Sequence, residues 1–361
     1  MTPYYIVFTL LSGLSILQAS VETRRYSRLF LGSGSALLVL FSGLRALGVG
    51  RDDEAYWTKF QEVPPISQWI TGQYLYSPRE VGFEPLYTVI AAIARELSDH
   101  YSLLFIIISA IAVTCTAINY AKYSKYSCLC LVLYFSHTFL LRDMNQIRAG
   151  VAAAIGLFLI AQIAQRQHFR TAVTIGVASL FHIGALAFVF PWLLSFIRWR
   201  REWLIIVVIA GALLGAASVS THLVIALPDL GSTTDRIKAY VGSRYAYRLN
   251  LLDITNIKNL AIFAVAIIYW EAISSRVKYF RVIIIFFSIG VFWRLAFSDI
   301  AIIAARIATF FGIVEVILVS SFVFLFRNKL VGLAFVIFYA FAMLTLNLFV
   351  TGTPPYRIVG I

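Results

Sequence analysis

The chain has 361 residues, of which 60% are hydrophobic and 13% charged, and it carries a net charge of +13. Soluble domains hold roughly 25% charged residues, so this composition excludes a water-soluble fold and points to an all-α, polytopic membrane protein. The positive balance does not signal nucleic acid, because the basic residues sit in short connections between apolar runs and no RNA- or DNA-binding signature is present.

The first apolar run, Tyr4–Leu17, has no basic residue before it, and Arg24, Arg25 and Arg28 follow it. That order favours a retained first helix with its N-terminus outside the cytoplasm. Five more basic connections recur: Lys122/Lys125, Arg166/Arg170, Arg198/Arg200/Arg201, Arg276/Lys278/Arg281 and Arg327/Lys329. The positive-inside rule places all six in the cytoplasm. The runs between them are then Leu29–Leu47, Tyr101–Ala121, Leu129–Leu141, Ala149–Ile163, Trp203–Leu227, Ile257–Ile273, Val282–Phe297, Ile300–Phe326 and Leu330–Val350. This gives one transmembrane domain over 1–361, with about 10–12 transmembrane helices plus short re-entrant helices. Long loops over about 48–83 and 228–256 lie outside, as does the C-terminal tail. Cys115, Cys128 and Cys130 imply no disulfide framework.

Two segments are too short for the crossings they would need. Thr171–Ile197 joins two basic connections on one side and cannot cross twice at 1.5 Å per residue. It reads as two short helices meeting near Phe181-His182-Ile183-Gly184. Glu84–Leu97 reads as a re-entrant or surface helix on the outer side. Irregular backbone at membrane depth is tolerated only where it lines a cavity or is buried in protein, so both segments point toward a site.

The stretch from Leu140 to Val151 places Arg142, Asp143, Asn145, Gln146 and Arg148 between two apolar runs. Charge at such a depth is costly. Six residues separate the two arginines, about 240° around a continuous helix, so a short break is expected that turns both guanidinium groups into one polar pocket. Two interfacial arginines reaching for water are the alternative. Gly48-Val-Gly-Arg-Asp-Asp-Glu-Ala-Tyr-Trp57 sets acids before aromatics. Asp52 and Tyr56 share a face if a helix opens at Asp52, either as a cap or as a carboxylate beside sugar-stacking rings at Tyr56, Trp57, Trp69, Tyr74 and Tyr76. Glu84 precedes Pro85 and is a helix cap or a site acid. His182 sits at the hairpin break, Arg45 ends the second run, and Arg306 lies within an apolar run. There is no phosphate-binding glycine loop and no cluster with metal spacing, so neither a metal nor a cofactor is expected. An arginine-rich pocket remains, and guanidinium forks match phosphate oxygens.

At these residues the chain resembles the EpsG family of polysaccharide polymerases, relatives of the Wzy O-antigen polymerases. Arg45 followed by Gly50-Arg51-Asp52 and Tyr56 is similar to one family motif, and Glu84-Pro85 to another. Ile147-Arg148, Phe181-His182-Ile183-Gly184 and Ala305-Arg306-Ile307 are similar to three more. Ala149 stands where the family usually has Gln, and the usual Pro after His182 is absent. The resemblance implies a glycosyltransferase that polymerises undecaprenyl-pyrophosphate-linked oligosaccharide repeats into O-antigen or exopolysaccharide. It would work at the outer face of a bacterial cytoplasmic membrane, with lipid-linked donor and acceptor and a chain-length regulator protein as partners. Arg142 and Arg148, with Arg45 or Arg306, would bind pyrophosphate, alongside Gln146 and Tyr56. One of His182, Asp52 or Glu84 would accept the hydroxyl proton. A transporter or flippase of lipid-linked oligosaccharide would use the same arginines, and a ligase or acyltransferase of the same surface pathway is a third reading.

Overall fold

A computed structural model describes residues 1–21, 24–77, 82–226, 228, 238, 247–350 and 352–360. The described chain is helical throughout, and its β pairing is confined to an isolated bridge between Arg45 and Ile358. Five helices are long and apolar enough to cross a membrane, and a bent pair makes a sixth if counted as one span. The chain is thus an all-α polytopic membrane protein. Most of the 228–256 loop, with Arg236 and Arg244, lies outside the described residues. The cysteines are free.

Packing divides the chain into two compact units. The first holds Met1–Leu159, Phe169–Leu186 and Val319–Ile361. Its helices are α1 (Thr2–Ser20), α2 (Arg24–Gly43), α3 (Asp53–Glu62), α4 (Ile66–Ile70), α5 (Pro85–Leu97), α6 (Tyr101–Tyr123), α7 (Ser127–Tyr134) and α8 (Ile147–Gly156). After α9 (Leu159–Ala164) it continues with α10 (His168–Ser179). Helix α6 is the hub: α2, α5 and α8 pack on it.

The run read as Leu129–Leu141 is not a plain helix. After α7 the chain widens into a π turn over Phe135–Phe139, then closes one further turn, Leu140–Arg142. Such a turn frees backbone carbonyls, and Asn347 Nδ2 donates to the Ser136 carbonyl at 2.8 Å. The hairpin over Thr171–Ile197 is broken as expected. α10 ends at Ser179, and a 3₁₀ turn over Ile183–Phe188 leads into α11 (Val189–Leu194).

The second unit holds Ile160–His168 and Ala187–Leu318. It contains α12 (Arg201–Ala216), α13 (Val219–Ile225), α14 (Ile254–Ile268), α15 (Trp270–Ser274), α16 (Phe280–Ala296), α17 (Ala301–Phe311) and α18 (Glu315–Ser321). Helix α16 is apolar and buried on nearly every side, with α11, α12, α14 and α17 against it. The run Trp203–Leu227, read as one span, bends by 74° between α12 and α13. Both ends of the bend are satisfied. Arg248 donates to the carbonyls of Gly215 and Ala216 at 3.1 Å each. Asp299 accepts from Thr221 N at 2.8 Å and from the Ser220 and Thr221 hydroxyls. Residues distant in sequence therefore stabilise a break that the local apolar pattern does not announce. The last helix, α19 (Lys329–Val350), returns to the first unit and leaves Phe335, Phe338 and Phe349 exposed, as a lipid-facing helix does.

Where α12 meets α16, two glycines four residues apart let the backbones touch. A Cβ on Gly215 would lie 2.0 Å from the Leu295 carbonyl oxygen, and one on Gly211 would lie 2.9 Å from Phe292. Gly215→Ala is expected to cost about 1–3 kcal/mol through overpacking, read as a lower melting temperature in detergent. Gly13→Ala, where nothing lies within 4 Å, is expected to leave it unchanged.

Candidate active site

The site belongs to the first unit and starts from the end of α2. Arg45 and Asp53 are both fully buried and form an ion pair at 2.8 Å. Arg45 Nε also donates to Asp53, Nη1 donates to the Ser42 carbonyl at 2.6 Å, and the guanidinium lies 4.1 Å from the Phe105 ring centre. Gly50 N donates to the other Asp53 oxygen at 2.6 Å. Removing either partner of such a pair leaves a charge stranded in the interior. The bridge to Ile358 and the bond from Ala46 N to the Arg357 carbonyl at 2.9 Å bring the C-terminal tail onto the same loop.

Asp53, not Asp52, is therefore the acid drawn inward. Helix α3 opens one residue later than expected, and its buried positions are Asp53, Tyr56 and Phe60. Asp52 occupies the N-cap position and is exposed there.

The loop before α3 docks on the break between α7 and α8. Gly50 approaches so closely that a Cβ there would lie 2.0 Å from the Met144 carbonyl oxygen. Arg51 N donates to Asn145 Oδ1 at 2.7 Å, and the Ser42 hydroxyl donates to the Asp143 carbonyl at 3.1 Å. The expected interruption is present, since helix stops at Arg142 and resumes at Ile147. Its polar residues are placed individually. Arg142 is buried and donates to Gln146 Oε1 at 3.2 Å. Asp143 is buried too, and Tyr134 donates its hydroxyl to it at 2.6 Å. Sequence reasoning gave neither Tyr134 nor Asp143 a role; their nine-residue spacing has no regular helical meaning once a π turn intervenes.

Beyond the break, Arg148 reaches Glu84. They form an ion pair, and each side chain keeps a little under a fifth of its surface exposed, at 19% and 18%. The Arg148 guanidinium stacks 3.9 Å from the centre of Phe83, with Tyr56 and Tyr87 about 6 Å away. Arg148 Nε and the Tyr87 hydroxyl are buried and have no hydrogen-bond partner among the described residues. Two orphaned donors in one cluster point to a missing acceptor. Burial pushes the Tyr56 phenol above its ordinary value, against the pull of the Arg148 charge, so Tyr56 remains a neutral hydroxyl.

Glu84 does not cap its own helix, because its side chain makes no cap bond to α5. One oxygen takes Arg148 and the other accepts from Ile183 N at 3.1 Å. Leu86 N donates to the Leu180 carbonyl at 3.0 Å, fixing the start of α5 on the hairpin break. Within that break His182 Nδ1 accepts from Gly184 N at 3.0 Å. An imidazole whose Nδ1 accepts carries its neutral-state proton on Nε2, which makes Nε2 a donor.

The first unit thus gathers Arg45, Asp52, Tyr56, Glu84, Arg142, Gln146, Arg148 and His182 around three linked joints. Arg142 and Arg148 flank the break but have different surroundings. Arg306 lies on α17 of the second unit, where it is exposed. Trp69 packs against Tyr74 and stacks on Tyr76, at ring-centre distances of 5.0 and 6.1 Å, and the Tyr76 hydroxyl donates to the Phe83 carbonyl at 2.7 Å.

The EpsG family model matches residues 29–358, which include every one of these residues. The chain belongs to the EpsG family. It is also similar to the amylovoran biosynthesis protein AmsC of Erwinia amylovora, with 27% identity over 330 residues, covering 91% of this chain and 88% of the relative. No solved structure matches. Of the residues that carry the sequence resemblance, Arg45 lies in the buried ion pair, Glu84 and Arg148 in the second pair and His182 in the turn that Glu84 holds, while Arg306 lies in the second unit.

Proposed function

We propose that this member of the EpsG family is a membrane glycosyltransferase that polymerises oligosaccharide repeats carried on undecaprenyl pyrophosphate. The product is an exopolysaccharide or O-antigen chain, made at the outer face of the cytoplasmic membrane. The observation that carries the reading is Arg148: partly exposed, tied to Glu84, flattened on Phe83 and with an N–H lacking an acceptor. A guanidinium held in one orientation presents its remaining N–H groups as a fork, which fits a pyrophosphate. Membership of the family and likeness to an amylovoran biosynthesis protein support a place in polysaccharide assembly.

In this mechanism the acceptor sugar hydroxyl attacks the anomeric carbon of the donor chain. The bond from that carbon to the pyrophosphate oxygen breaks, and the electron pair leaves with the lipid pyrophosphate. Arg148 stabilises the charge developing there, and the His182 Nε2–H donates to the same group. The acceptor's proton goes to Asp52, the exposed carboxylate at the start of α3. Trp69 and Tyr76 offer ring faces to sugars. Arg142 with Gln146, and Arg45 with Asp53, hold the break and loop in position.

Purified protein in proteoliposomes, given lipid-linked repeat units, tests this reading. A ladder of longer glycans is expected. Movement of the lipid-linked unit across the bilayer without elongation would make the chain a transporter instead.

A further inference from the structure

A polar cavity lies in the second unit. It measures about 600 Å³ and draws its walls from three connections far apart in sequence. Arg166 comes from the end of α9, Arg198 from the segment before α12, and Arg281 from the start of α16. None of the three forms an ion pair among the described residues. Sequence charge places all three connections on one side of the membrane, the cytoplasmic side.

The remaining lining is amphipathic. Trp199 and Trp270 line it with indoles, the side chain enriched at headgroup level in membrane proteins, and Ile163, Leu204, Ile284 and Ile285 add apolar surface. Two residues that line the cavity, Arg166 at φ 54° and Tyr279 at φ 63°, have left-handed backbone. Among the described residues only Ser218 shares that conformation without being glycine. Uncommon backbone concentrated at one cavity is a mark of a binding site.

We infer that this cavity binds the phosphate headgroup of an anionic phospholipid from the cytoplasmic leaflet. Three guanidinium groups supply charge and forked donors for phosphate oxygens, and the apolar wall receives the first acyl carbons. A free phosphate would use the arginines and leave that wall idle. The inference rests on the membrane placement of the basic connections and not on the polymerase reading, so either stands if the other fails.

The test uses the full-length protein in a mild non-ionic detergent, re-lipidated with cardiolipin, phosphatidylglycerol or phosphatidylcholine in equal amounts. Native mass spectrometry counts the lipid retained. Wild type is expected to retain the anionic lipids about tenfold better than phosphatidylcholine. R198E/R281E is expected to lose that preference, and R200E/R201E, outside the cavity, to keep it. Equal retention of all three lipids by wild type overturns the inference. Complete displacement by millimolar inorganic phosphate overturns the lipid as occupant. Folded R198E/R281E that keeps the anionic preference overturns the inference too, and R198Q/R281Q is read in its place if the charge-reversed protein does not fold.

Discussion

Arg148→Lys is expected to give inserted, folded protein that carries no glycan longer than a single repeat on its lipid. Lysine keeps a positive charge for Glu84 but loses the planar fork and the stacking on Phe83. The missing transition-state contacts are worth about 2–4 kcal/mol, on the order of 30- to 1,000-fold in rate. Arg148→Ala is expected to lose the same activity and some stability besides, because Glu84 is left with only the Ile183 N–H. Charge exchange separates the two roles: E84R/R148E restores an ion pair and with it thermal stability, yet gives no elongation. Glycan ladders from membranes, read beside melting curves of the purified variants, check all three. Elongation by Arg148→Lys at the wild-type rate would reduce Arg148 to a structural residue.

Neighbouring acids at the start of α3 are expected to fail in opposite ways. Asp53→Ala strands the fully buried Arg45 charge and releases Gly50, so it should cost about 3–5 kcal/mol and remove most folded protein from the membrane. Asp52→Asn changes an exposed group. It should leave the yield and melting temperature as they are and lower elongation by about 10²–10⁴-fold, the range of a general base. Fluorescence size exclusion measures the first effect and single-turnover elongation the second. A folded, stable Asp53→Ala would contradict the structural role given to the Arg45–Asp53 pair.

That contrast also shows where sequence reasoning stops. Composition and charge spacing disclose an all-α membrane protein because lipid imposes strong, local rules on every residue. The polar stretch after Leu140 discloses its own helix break, since two arginines in an apolar run demand an explanation. Glu84 before Pro85, and His182 in a segment too short to cross twice, stand out for the same reason. The identity of the buried acid is not. Helix α3 begins at Asp53 and not at Asp52, and one residue turns a helical side chain by about 100°. The bend at Ser218 is invisible locally because Asp299 and Arg248 stabilise it from elsewhere in the sequence. Contacts of the tail with Arg45, and of Asn347 with the π turn, are long-range in the same way. Arg306, the fourth arginine of the set read from the sequence, lies in the other compact unit, a division that no local pattern announces.

The most direct measurement is the affinity of the purified protein for undecaprenyl pyrophosphate, wild type against Arg148→Lys in the same detergent. A guanidinium that grips the pyrophosphate predicts binding by wild type and at least about tenfold weaker binding by the variant, or 1.4 kcal/mol. Equal affinity in two equally folded proteins would contradict the account.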